Sequence, residues 1–435
     1  MCRKCGLGPI PLANPQKVSN ASKTMQLPKQ HVIFLGAGAS YTSGYPVGDS
    51  LRLRLSGRNH FKKQFWEGFG IDTLHSLKEK DRWGTLFNDF KGVIDLLRNG
   101  GFGTVDEFSK LMSNEHPDQI KAMKKLMRLA LAFHNPEDEF HKSDYYPFVQ
   151  RLFRDDQLSS LKNYVTVISY NYDCYLDFLL SRAYTTRQAG HEPTGDGNAM
   201  LNRLASGFYD EDHHPCDYKI ADFRYFKLHG SIAYARSRWF GHQQLFLDDN
   251  MTRLGAFSGD AYKNKTPPIL FPWELFDEKN EFIEADEFVF VKHHDEGSRG
   301  RGEALFKMYK TLWQNAQLAV RKAQKISFVG LSMHPYLEDG LKYLFQHKSG
   351  KVEVVVANPQ NRAFKDSQNH LHPASLCGKM NEVLRRAAPK MQPIKSSAED
   401  DGMVNMDVEA AMQKDSEPDI TPRYSFREFI TTEMD

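Results

Sequence analysis

Short apolar runs and longer stretches with a three- to four-residue apolar repeat alternate along the middle of the chain. Val32, Ile33, Phe34 and Leu35 form one such run, with the β-forming residues of a buried strand. Tyr164 to Tyr170, Arg224 to Leu228, Ile326 to Val329 and Val352 to Ala357 have the same character, and a further apolar run, Pro267 to Phe271, ends at Pro272. Helical spacing appears at Phe87, Phe90, Ile94 and Leu97, and again at Ile120, Met123, Met127, Ala130 and Leu131, with Gly100, Gly101 and Gly103 breaking the two apart. Residues 56–162 therefore predict a mainly helical insertion covering one end of a sheet, its Met and aromatic stripes serving as core. Val47 to Leu55 predicts a helix start with Asp49 complementing the helix dipole, and Tyr175 to Tyr184 carries Leu176, Leu179 and Leu180 at helical spacing. Glu303 to Gln324 is strongly amphipathic, and a shorter helix is expected over Leu337 to Gln346. Strands alternating with helices in this way predict an α/β fold around an open parallel sheet.

The flanks read differently. Residues 1–28 are polar, contain proline and lack periodicity, so a disordered N-terminal arm is expected before a domain over 29–365. Residues 185–222, rich in Gly, Asp, His and Pro, predict a long loop, and 232–300 shows no clear period. From 366 to 435 polar residues, prolines and charges dominate, which predicts a largely disordered tail with a short helix near Ala410. The apolar patch from Tyr424 to Ile430 reads either as a docking segment or as part of that solvated tail.

Composition narrows the classes. Fifty-seven basic and fifty-five acidic residues nearly cancel, which leaves no whole-molecule field to gather nucleic acid or anionic membrane. Five cysteines, scattered and odd in number, suit a reducing compartment. No apolar run approaches the roughly 18 residues needed to cross a bilayer, and no secretory signal opens the chain, so a soluble, cytoplasmic protein is expected. Cys2 and Cys5 are half of a zinc site with no second pair, and read as a surface thiol pair. His213-His214 and His293-His294 point to opposite faces of an extended chain and lack an evident third ligand, so no metal is expected.

Candidate chemistry concentrates after the strands. Gly36, Ala37, Gly38, Ala39 and Ser40 follow the first run, Asn171, Tyr172 and Asp173 the second, and His229, Gly230 and Ser231 the third. Gly330, Leu331 and Ser332 follow the fourth, and Ala357, Asn358 and Pro359 close the fifth. In an open parallel sheet all these breaks fall along one edge, where ligands bind. The small residues of GAGAS let backbone approach a diphosphate, although Tyr41 stands where the usual dinucleotide fingerprint has its third glycine. Asn171 offers a neutral donor and acceptor, Asp173 an acceptor for an amide, and His229 a group able to take a proton from a ribose hydroxyl. Each also has a purely architectural reading: Asn171 as helix cap, Asp173 as dipole complement, His229 as a buried hydrogen-bonded histidine.

In order and spacing, GAGAS with Ser43-Gly44-Tyr45-Pro46, then NYD, KLHGS and GLS, resemble the sirtuin-like NAD-binding domain, closest to the branch found in bacterial defence proteins. The resemblance covers about residues 30 to 360. It implies a six-stranded Rossmann-like sheet with helices on both faces, and NAD as ligand. It further implies that Gly36, Ala37, Gly38, Ala39 and Ser40 line the diphosphate, and that Ser43, Gly44, Tyr45 and Pro46 close over the nicotinamide ribose. Asn171 and His229 would be the catalytic pair, Asp173 would lie near the nicotinamide amide, and Gly330, Ser332, Asn358 and Pro359 would approach the adenosine half.

Departures from the deacetylase pattern redirect the expected activity. The two C-x-x-C pairs of the deacetylase zinc module do not follow His229, and Val47-Gly48-Asp49 replaces the phenylalanine-arginine pair after the proline. The expectation is therefore an NADase: hydrolysis of NAD to nicotinamide and ADP-ribose. Defence relatives are gated by assembly or a partner, which here implies self-association or a triggering protein. An NAD-dependent protein deacylase and a non-catalytic NAD or ADP-ribose sensor are the rival readings.

Overall fold

The apolar run after Gln30 forms strand β1 (His31–Leu35), every residue of which is buried. The computed structural model describes residues 29–43, 45–46, 48–56, 90–101, 103–113, 116–132, 143–152, 164–177, 179–180, 224–232, 234–239, 242–247, 269–277, 279, 281–288, 299–332, 335–358, 376–394, 421–423 and 425–434. Strands β2 (Val165–Ser169) and β3 (Arg224–Lys227) continue outward from one side of β1. A hairpin of β4 (Tyr234–Trp239) and β5 (His242–Leu247) pairs only with itself. On the other side of β1 lie β6 (Lys325–Val329), β7 (Gly350–Ala357) and β8 (Met391–Ile394), while the short β9 (Thr421–Arg423) also pairs with β7. Within this sheet every pairing is parallel, in the order β3-β2-β1-β6-β7-β8. The fold is α/β and Rossmann-like, with its strand order reversing at β1 and β6.

The register levels the strand ends. Leu35 lies opposite Ser169 and Val329, Ser169 opposite Lys227, and Val329 opposite Ala357. The polar and glycine-rich breaks noted in the sequence thus begin along one line, at the edge where such sheets bind ligands.

Alternation along the strands sends side chains to two cores. Ile33, Leu35, Val165, Val167 and Val355 face one way. They are covered by α1 (Gly48–Leu55), a helical segment over 90–99, α2 (Val105–Met112), α3 (Pro117–Ala132) and α4 (Tyr145–Leu152). Val32, Phe34, Ile168, Phe328 and Val354 face the other way, beneath α5 (Arg299–Lys322), α6 (Pro335–Phe345) and α7 (Leu376–Ala387). The described parts of the insertion are helical, and several of their polar side chains reach the segments at the strand ends: Tyr145 meets Ser40 and Asn171, and Asp106 meets Tyr172. Their apolar stripes need a broad apolar surface to cover, and a sheet face supplies it.

The expectation of a disordered tail fails over 376–394 and 421–434. There the chain forms α7, β8, β9 and α8 (Phe426–Glu433), with β8 pairing the first half of β7 and β9 its second half. Ser425 caps α8 by accepting from the Glu428 N–H, and Phe426, Phe429 and Ile430 are buried against the insertion-side core. Lys325 Nζ reaches Glu433 at 2.6 Å and Glu353 at 3.0 Å, tying α8 to β6 and β7. Few apolar residues suffice here because the sheet already provides the other half of each contact. The N-terminal arm, the 185–222 loop and the helix expected near Ala410 lie outside the described residues.

Phe429 is fully buried, its ring edge-on to His31 at 6.3 Å between centroids. Phe429→Ala should therefore lower stability by about 3 kcal/mol in urea unfolding; a solvated C-terminal segment predicts no change.

Candidate functional site

Two backbone turns touch at the strand-order reversal. The Gly36 N–H donates to Val329 O at 2.9 Å, and the Gly38 N–H to Gly330 O at 2.8 Å. A Cβ on Gly36 would meet Leu331 Cα at 2.6 Å, and one on Gly330, whose φ is +61°, would meet Ala39 N at 2.1 Å. These glycines let the turn after β1 lie directly on the turn after β6. Ala37–Ser43 winds as 3-10 helix, which buries Ala39 and Ser40 and leaves Ala37 and Tyr41 exposed.

Ser40 is where that turn meets the end of β2. Its hydroxyl donates to Asp173 Oδ2 at 2.8 Å, while Asp173 Oδ1 accepts from the Tyr175 N–H at 3.1 Å. With its proton committed to the carboxylate, Ser40 Oγ presents lone pairs to Asn171, whose Nδ2 donates to it at 3.0 Å. This direction sets the amide: nitrogen toward Ser40, oxygen away. Asn171 Oδ1 is buried and has no partner among the described residues. Behind the network, Lys227 Nζ pairs with Asp177 Oδ2 at 2.9 Å, donates to Ser231 Oγ at 3.2 Å, and donates to the backbone carbonyl of Asp173. Burial pushes the Asp177 carboxyl up from its ordinary range, against the pull of Lys227.

His229 follows β3 as Asn171 follows β2. Ser169 pairs with Lys227, and two residues further along each strand are Asn171 and His229. The imidazole is buried among Tyr170, Trp313 and Tyr172, with ring centroids at 5.1, 5.8 and 6.2 Å. Trp313 is held by its indole N–H, which donates to Leu228 O at 3.1 Å. The Leu270 N–H donates to the backbone carbonyl of His229 at 2.9 Å, but neither ring nitrogen has a partner among the described residues. Burial lowers the His229 pKa to about 3, so the ring is neutral near neutral pH. On the insertion side the Tyr172 hydroxyl donates to Asp106 Oδ1 at 3.3 Å, and burial raises the Asp106 carboxyl to about 6.

Ser40 thus bonds both Asn171 and Asp173, while His229 lies past the end of the adjacent strand β3 with its ring on Tyr170 and Trp313. Ser43 bonds Ser143 at 2.5 Å, Tyr45 packs on Tyr175 at 5.7 Å, and Pro46 is buried. Beyond β6 and β7, Ser332 is exposed, and Asn358 Nδ2 donates to Leu331 O at 3.3 Å. Gly44 and Pro359 lie outside the described residues, as do Cys2, Cys5 and the two His-His pairs. The sequence reading passed over Tyr145, Tyr170 and Trp313, aromatics with no local motif, and Lys227, whose place just before Leu228-His229 was the available signal. Among the described residues no group of three or more His, Cys, Asp or Glu side chains is arranged to hold a metal, and no helix is long and apolar enough to cross a membrane. No protein-family model matches the chain, and no curated protein matches it in sequence.

Since the folded chain holds His229 well below its ordinary pKa, the unfolded chain binds the extra proton between about pH 6.5 and 3. The stability associated with the neutral ring is complete above 6.5 and is lost as the pH falls through that window. The difference in urea midpoint between the protein and His229→Gln should accordingly shrink from pH 7 to pH 4; a difference independent of pH would contradict a neutral buried imidazole.

Proposed function

We propose that this protein binds NAD at the strand-end edge and hydrolyses its nicotinamide–ribose bond, releasing nicotinamide and ADP-ribose. The observation that carries this reading is that three of the nine buried polar atoms without partners among the described residues, Asn171 Oδ1 and both ring nitrogens of His229, follow the adjacent strands β2 and β3. Burying such groups unpaired is unfavourable by about 1–3 kcal/mol each, which an incoming polar ligand relieves. The order of the GAGAS, NYD, HGS and GLS motifs gives that ligand its identity through the resemblance to sirtuin-like domains.

The electrostatics are consistent with the chemistry. Oxidised nicotinamide is cationic, and positive charge spreads to the ribose as the bond loosens. A neutral imidazole does not repel that charge, and the nearby Lys227 is neutralised by Asp177. Asn171 Oδ1 and a ring nitrogen of the neutral His229 accept hydrogen bonds from the attacking water or a ribose hydroxyl and hold it for attack, and the proton that the water loses passes to solvent. Water adds to the ribose carbon, nicotinamide leaves with the bonding pair, and one proton is released. The Gly36 and Gly38 N–H groups are committed to β6, so in this reading those glycines admit the diphosphate by lacking side chains, not by donating to it.

Purified full-length protein incubated with NAD alone should yield equal amounts of nicotinamide and ADP-ribose by chromatography. His229→Ala should turn over roughly 10²-fold more slowly while binding NAD within a few-fold of wild type. Release of nicotinamide only with an acyl-lysine peptide would make the protein a deacylase, and binding without consumption would make it a sensor. Failure to bind NAD would remove the reading altogether.

A further inference from the structure

We propose that Tyr145, supplied by the helical insertion, is a positioning residue that holds the Asn171 amide with its carbonyl oxygen turned toward the ligand. The Tyr145 hydroxyl lies 3.3 Å from Ser40 Oγ and 3.3 Å from Asn171 Nδ2. Because Ser40 spends its one proton on Asp173, Tyr145 must donate to a Ser40 lone pair and accept from Asn171 with its own oxygen. The two amide hydrogens of Asn171 then have two acceptors, Ser40 Oγ and the Tyr145 oxygen. A flipped amide would gain at most the Tyr145 proton, drawn away from Ser40, and would lose both of its own donations to Ser40 Oγ and the Tyr145 oxygen. Both hydrogens would be left unpaired in a buried place, so the flipped form is strongly disfavoured.

Such a network would close on itself if it served packing alone. Instead, among the four side chains Ser40, Asp173, Asn171 and Tyr145, Asn171 Oδ1 is a buried atom without a partner among the described residues. Tyr145 is itself rigidly held. Its ring is buried against Tyr175 at 5.9 Å, Phe148 at 6.2 Å and Phe426 of α8 at 5.2 Å. The neighbouring Asp144 pairs with Arg427 of α8 at 3.0 Å. Burial, reinforced by the Asp173 charge, pushes the phenol far above its ordinary pKa, so the hydroxyl stays protonated at any working pH. An amide locked by groups that are themselves locked is what a positioned acceptor requires.

The catalytic consequence of this arrangement rests on the NAD reading above; the orientation of the amide does not. Tyr145→Phe removes the hydroxyl and keeps the ring. In full-length protein labelled with 15N-asparagine, the Asn171 side-chain pair, assigned by its loss in Asn171→Ala, should exchange with solvent roughly 10-fold faster in Tyr145→Phe. The turnover of NAD should fall roughly 10-fold with KM nearly unchanged, and Tyr145→Phe should have no further effect in the Asn171→Ala background. Unaltered amide exchange, or an equal turnover loss in both backgrounds, overturns the proposal. If wild-type protein does not consume NAD, the NAD reading falls while the exchange measurement still decides the role of Tyr145.

Discussion

Where the turn after β1 meets the turn after β6, neither can carry a side chain at the point of contact. Gly330 sits at positive φ with Ala39 N where its Cβ would be, and Gly36 and Gly38 lie equally close to the backbone of residues 330 and 331. This contact, at the point where the strand order reverses, determines where the 3-10 turn can run. It therefore determines where Ser40 stands. Ser40 in turn bonds both Asn171 and Asp173 after β2, so the orientation of the Asn171 amide depends on a contact between glycines.

Charge is managed by pairing and by neutrality. Lys227 and Asp177 are both fully buried and face each other, an arrangement that contributes little net stability but is strongly unfavourable to break. Its structural value is to bind the end of β3 to the helical start after Asp173. Lys124 of α3 and Glu274 repeat the device at 2.7 Å, joining the insertion to the segment that follows Leu270, whose N–H holds the His229 backbone. The imidazole of His229 packs against Tyr170, Tyr172 and Trp313 and remains uncharged because burial penalises its cation.

Elements remote in sequence converge on this edge. The insertion brings Tyr145 and Asp106, and α8 packs Phe426 against Tyr145 from more than two hundred residues away. The C-terminal segment is in this sense part of the support of the site rather than an appendage. Its docking through β9, Ser425 and Glu433 fixes the helix that fixes the tyrosine.

The chain's own pattern determined the five central strands, the long helix α5 and the positions of the polar breaks, because period and composition are local properties that survive in any context. It also marked Ser40, Asn171, Asp173 and His229 as candidates, since each singly has an architectural reading but polar or glycine-rich breaks recur after all five strands. It did not determine that the breaks would be level, which depends on the register between strands far apart in sequence. It misjudged the C-terminal residues, whose scattered apolar positions acquire meaning only against a sheet already formed. Nor could it foresee that the Gly36 and Gly38 amides would be spent on Val329 and Gly330, that the His229 ring nitrogens would lack partners among the described residues, or that a tyrosine without a motif would meet the Asn171 amide. Those are matters of which groups meet in space, and only the packed chain decides them.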